Sequence, residues 1–141
     1  MPTWLLFALG TVCCWGAYGT AIHKSNSLLG EGLKTALLVG VAYFFLAVLI
    51  PSLIMKSGGA DWSFPGKGMM FGLLAGSLGA IGAICVIYSM KSGGNPQYVM
   101  PIIFGCAPLV NVIVSSIAHP PKAVNPIFWL GVLVLASGAG M

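Results

Sequence analysis

The sequence predicts an all-α integral membrane protein with five membrane-crossing helices, the fifth of them short. Three observations lead there. Of the 141 residues, 58% are hydrophobic and only 6% are charged, whereas an average soluble domain is about 25% charged. Apolar runs of about 20 residues recur along the chain, and a run of that length crosses a hydrocarbon core of about 30 Å at 1.5 Å per residue. Glycines and prolines lie inside those runs, a placement that helices packed in lipid tolerate far better than helices in water.

The first span is placed at residues 3–22, where no charge interrupts the run from Thr3 to Ile22; His23, Lys24, Ser25 and Asn26 are read as its interfacial end. It lacks the basic leader and small-residue cleavage site of a signal peptide, so it is expected to stay as a membrane helix. Thr11, Trp15 and Tyr18 fall at i, i+4 and i+7, which gives one helical face with polar tips. Trp15, deeper in the span, is the better candidate for a cavity wall. Tyr18 divides evenly between that role and an aromatic belt at the interface.

The second span is placed at residues 32–55. Glu31 and Lys34 stand three apart at its start, close enough to pair across one turn, and Pro51 and Lys56 mark its far end. Tyr43, near its centre, requires a hydrogen-bond partner if buried and is read as structural. The connection KSGGADWSFPGK, residues 56–67, is polar, with Trp62 and Phe64 suited to anchoring at the interface. It has neither the spacing nor the preceding strand of a phosphate loop.

The third span, residues 68–90, carries Gly68, Gly72, Gly76, Gly79 and Gly82 at spacings of four, four, three and three. Those spacings place all five on one face. Each interior glycine costs a helix about 1 kcal/mol relative to alanine, so the pattern predicts close helix–helix contact in return. SGGNPQ, residues 92–97, reads as a turn. The fourth span, residues 98–118, holds Pro101 and Pro108 two turns apart. Each proline removes a backbone donor and frees a carbonyl, so a bent helix beside a polar cavity is expected. Asn111 and Ser115 share a face of this span, and an asparagine at that depth either bonds helices together or faces a solute path. HPPKAVNP, residues 119–126, cannot form a membrane helix. The last span, residues 127–141, is about 22 Å long at 1.5 Å per residue and therefore short.

Several function classes recede. The six basic residues are all lysines, scattered singly at the ends of apolar runs against two acids, so the net charge of +4 reads as snorkelling to the lipid surface and not as a nucleic-acid footprint. Cys13, Cys14, Cys85 and Cys106 fall inside spans; no CxxC or histidine cluster accompanies them, and they are read as small apolar residues with no metal. His23 and His119 are isolated at helix ends, and no convergent catalytic set exists. The chain is therefore expected to have no enzymatic activity and no cofactor.

Sorting the lysines by loop places Lys56, Lys67 and Lys122 on one side and Lys24, Lys34 and Lys91 on the other. This tie leaves orientation undecided by the positive-inside rule. Many transporters join two repeats of opposite topology around a solute site near the bilayer midplane. A chain holding one repeat can obtain the second from an oppositely inserted copy, an antiparallel homodimer, or from a paralogous half-transporter.

The residues also resemble a family. FALGTVCCWGAYGTAIHKS, with the pair Trp15-Gly16, is similar to the first helix of the drug/metabolite transporter superfamily, EamA-like branch. AICVIYSMKSGGNPQYVMPIIFGCAPLVNVIVS resembles its third-helix, turn and fourth-helix signature, with Tyr88, Pro101 and Pro108 at the matching positions. FWLGVLVLASGAGM resembles its closing helix through Trp129, Gly131 and Gly138. The resemblance implies a five-helix repeat, normally doubled with inversion to ten helices, that moves small polar metabolites by alternating access across a cell membrane, here expected to be a prokaryotic inner membrane. It also implies that the first, third and fourth helices line the path.

Two departures matter. The glutamate often found before the fifth helix is replaced by HPPKAVNP, and no carboxylate lies within any span. A mid-bilayer carboxylate costs about 2.5–3.5 kcal/mol and is the usual device for proton-coupled cation exchange. The expected solute is therefore uncharged, such as a sugar, with Thr11, Trp15, Tyr18, Tyr88, Asn111 and Ser115 as binding candidates. Small multidrug or cation export is less favoured. A different class of role, an assembly or accessory subunit packing through the glycine face, is the main alternative.

Overall fold

The computed structural model of the chain describes residues 2–118 and 126–140. It is helical throughout its regular structure: α1 (Thr3–Leu29), α2 (Gly32–Ser57), α3 (Gly66–Lys91), α4 (Pro96–Ala118) and α5 (Pro126–Gly140). The first four are long and apolar enough to cross a membrane. The fifth has 15 residues, fewer than the roughly 17 at the lower end of spanning helices. The connection at 119–125, with His119 and Lys122, lies outside the described residues, as does Met141.

Side-chain exposure matches a hydrocarbon solvent. None of the most apolar stretch of α2 is buried within the chain, and large side chains such as Phe7, Leu37, Leu53, Phe71 and Leu73 are exposed. A protein in water does not present contiguous apolar surface of this extent.

Two compact units divide the chain, residues 1–93 and 94–141. In the first, α1, α2 and α3 pack pairwise against one another. Its core is small: Gly19 and Ile22 from α1, Gly32 and Thr35 from α2, and Ile87 and Met90 from α3 are buried. The first helix runs seven residues beyond the predicted end at Ile22, so His23, Lys24, Ser25 and Asn26 belong to the helix. It stops where Gly30, in the left-handed region at φ 67°, donates its N–H to the Asn26 carbonyl at 3.0 Å. Only glycine enters that region without strain, which fixes the turn here.

α2 is not regular. Phe44–Leu49 is π-helical, and the Ile50 N–H bonds back five residues to the Phe45 carbonyl. The cause lies just beyond, at Pro51, which has no N–H to offer the Ala47 carbonyl and whose ring crowds it. Widening the preceding turn relieves both problems. The loop to α3 is organised by Asp61, whose carboxylate accepts from the Ser63 backbone N–H at 2.9 Å and from the Ser63 hydroxyl. The hydroxyl bond, followed by the backbone bond, holds the Asp61 carboxyl below its usual range.

In the second unit, Asn95 caps α4: its side-chain oxygen accepts from the Gln97 N–H at 3.0 Å, and its carbonyl accepts from Tyr98 and Val99. Pro96 occupies the first helical position, where a missing donor costs nothing. The helix continues through both Pro101 and Pro108. α5 packs against α4, and Phe128 and Trp129 meet edge to face with centroids 5.9 Å apart.

Candidate functional site

The polar chemistry of the first unit lies along one stripe of α1. Tyr18, Ile22, Ser25 and Asn26 follow at i, i+4, i+7 and i+8, which places them on the face that meets α2 and α3. The stripe extends the face on which Thr11 and Trp15 lie.

At its end, three helices are joined by hydrogen bonds. The hydroxyls of Ser25 and Thr35 are 3.0 Å apart, and Thr35 is 1% exposed. The Asn26 amide donates to the Ile87 carbonyl at 3.1 Å, while its own Oδ1 is buried with no hydrogen-bond partner. Outside this layer, Lys91 Nζ and Glu31 Oε1 form an ion pair at 2.6 Å. The partner of Glu31 is therefore Lys91, from α3, and the expected pairing with Lys34 is corrected. A lysine at the C-terminal end of an antiparallel neighbour reaches the carboxylate directly, and Lys34 adds only a weaker attraction. The hydrogen bond from Lys91 and then its charge hold the Glu31 carboxyl below its ordinary value.

Further along the stripe the Tyr18 hydroxyl is buried and makes no hydrogen bond. The Tyr43 phenol on α2 is the polar group beside it. Tyr43 also lines a cavity of about 210 Å³ between α2 and α3. The α2 wall adds Ala36, Val39 and Gly40, and the α3 wall is Ala80, Ala83 and Ile84, closed by Ile87. Small residues open this space because α2 and α3 touch through Ile87 and Lys91: a Cβ on Gly32 would meet the side chains of both at 3.2 Å.

Of the six candidate binding residues, Tyr18 alone is not exposed. Thr11 bonds to its own helix, at the Phe7 carbonyl, and Trp15 is 56% exposed. Tyr88 is on the surface of the first unit, while Asn111 and Ser115 are on the surface of the second. Among the described residues, nothing lies within 4 Å of where a Cβ would stand on any of the five glycines of α3. At 100° per residue, the stripe lies about 100° around α3 from the cavity wall. All four cysteines are free and exposed, and among the described residues no three metal-ligating side chains cluster.

Sequence reasoning passes over Thr35, reads Ser25 and Asn26 as an interfacial helix end and takes Tyr43 as structural. A signal existed for two of them. Asn26 lies two turns beyond Tyr18 on its stripe, and Thr35 is the one hydroxyl residue in the first turns of α2.

No protein-family model, curated protein or solved structure matches the chain.

Proposed function

We propose that the chain is a membrane carrier for a small uncharged polar metabolite such as a sugar, built as one five-helix repeat of the drug/metabolite transporter type. In this reading α5 serves as a short fifth span, and an oppositely inserted second copy in the cell inner membrane supplies the inverted repeat. The observation that carries the reading is the Tyr18 hydroxyl, a donor buried among the helices and left unsatisfied, with only the Tyr43 phenol beside it. Leaving it so costs about 1–3 kcal/mol, a cost that a solute with a hydroxyl or carbonyl removes. The absence of any carboxylate within the four long helices favours neutral solutes over cations.

Proteoliposomes containing the purified chain alone, screened with labelled sugars, amino acids and nucleosides, test this. Uptake of a neutral solute is the expected result, and no flux across the panel rejects transport. C-terminal reporter fusions test the antiparallel pair. Signal from both sides of the membrane is expected, and signal from one side only points to a paralogous partner.

One observation favours a second reading. The glycine stripe of α3 faces open space, as it would in a subunit that packs against another membrane protein. Solute-dependent thermal stabilisation separates the two, since only a carrier requires it.

A further inference from the structure

We infer that the first unit has a second, closed state, in which α2 seats along α3 through the row Gly32, Ala36 and Gly40. In the structure the three helices of this unit are pinned at one end. The Ser25–Thr35 hydroxyl pair, the bond from Asn26 to the Ile87 carbonyl and the Glu31–Lys91 ion pair all lie there. Burial fades with distance from that end on every helix. Ile22, Thr35 and Ile87 near it are buried, whereas Trp15, Gly40 and Ala80, farther along α1, α2 and α3, are exposed. The backbone of residues 44–57 approaches no helix but its own. The unit is therefore splayed, closed at the polar end and open at the other.

The row on α2 shows which way it closes. Gly32, Ala36 and Gly40 follow at intervals of four and share one face, yet the two ends of that face differ. A Cβ on Gly32 would meet the Ile87 and Lys91 side chains at 3.2 Å, whereas one on Gly40 would meet nothing within 4 Å. Ala36 and Gly40 line the space between α2 and α3, and the opposite wall carries Ala80 and Ala83, one turn apart. Small residues on facing helices let backbones approach closely, and van der Waals packing of that kind drives helix association in lipid. Here two small faces stand opposite each other across a gap, so the contact that begins at Gly32 has its continuation already built.

The movement breaks little. No other helix backs residues 44–57, and the π-helical turn Phe44–Leu49, followed by Pro51, loosens α2 just past the row, where a helix bends most readily. The polar ties at the other end are the pivot. The inference stands whether or not the chain carries a solute.

The test reads distances by double electron–electron resonance in the full chain in lipid nanodiscs. Its four free cysteines are replaced by alanine, and labelled chain is diluted with unlabelled chain so that only distances within one copy count. An outer pair of spin labels is placed through Leu53→Cys and Phe71→Cys, both at exposed positions, and a reference pair at the pinned end through Leu33→Cys and Ser89→Cys. The outer pair is expected to show two distances and the reference pair one. Gly40→Leu enters open space in the splayed state and blocks the closed one, so it should remove the shorter outer distance and leave the longer; Gly40→Ala should keep both. Ala80→Leu makes the same block from the opposite wall and serves where Gly40→Leu does not fold. A single outer distance in the parent chain, a reference pair that splits as the outer pair does, or a shorter distance that survives the leucine variants would each overturn the inference.

Discussion

Asn26 shows how much one amide does in a small core. It is the residue of α1 that bonds to the backbone of α3, and its neighbours Ser25 and Thr35 tie α1 to α2. Asn26→Ala removes one hydrogen bond together with one unsatisfied oxygen and should cost about 1 kcal/mol. Asn26→Asp should cost more, because it faces a carboxylate oxygen against the Ile87 carbonyl with no proton between them. Thermal unfolding in detergent checks the order, and an Asp variant as stable as the Ala variant would contradict it. Gly32 makes the complementary case. A Cβ there meets the Ile87 and Lys91 side chains at 3.2 Å; the Lys91 stem can yield by a few tenths of an ångström, whereas the Ile87 methyl is fully buried. Gly32→Ala should therefore be mildly destabilising, by less than the about 1–3 kcal/mol that Gly32→Leu should lose through overpacking.

For individual helices, period and length made the spans legible. Uncharged runs of some 20 residues mark α1 to α4 within a few residues at most ends, and the stretch read as a turn, residues 92–97, holds the Asn95 cap and the Pro96 start of α4, two residues before the span placed at 98. Two things were not legible. The extension of α1 to Leu29 depends on Ser25 and Asn26 having partners on α2 and α3, and no local pattern records partners that distant. The π-helical stretch of α2 hides because Pro51 reads equally well as a helix end. Pro51→Ala restores the donor to Ala47 and should let residues 44–50 relax toward α-helical register. Slower amide exchange across those residues is the expected result, and unchanged exchange would mean that the π turn has another cause. On α3, Gly72→Leu and Gly76→Leu meet open space in the single chain. They should leave its unfolding midpoint within about 1 kcal/mol of the wild type while dissociating any oligomer that uses the stripe, as read by crosslinking.

At the scale of the whole molecule, composition settled the environment and left the site underdetermined. Trp15, Tyr88, Asn111 and Ser115 were singled out because polar tips within apolar runs are rare, yet they stand on the surfaces of their units. Burial belongs to the three-helix arrangement, and periodicity alone cannot say which of several faces on a helix will be covered. The charges follow the same logic. Glu31 and Lys34 looked like a local pair, but folding brought Lys91 to Glu31 at 2.6 Å. Because the Glu31 carboxyl lies below its ordinary value of 4.5 in the folded chain, its contribution is fully present above that value and fades as the pH falls through the lowered one. The pair is exposed, so the effect is small. Wild type and Glu31→Gln should differ in stability at pH 7 and converge once the pH falls below the lowered carboxyl value, and a difference that persists in acid would assign Glu31 some role other than the ion pair.

The groups that bind to Asn26 and Glu31 lie 61 and 60 residues later in the chain. At translation rates of about 5–20 residues per second, that separation corresponds to roughly 3–12 s. During that interval α1 and α2 exist without α3, the Asn26 amide and the Glu31 carboxylate lack the partners they have in the finished fold, and the emergence of α3 supplies both at once.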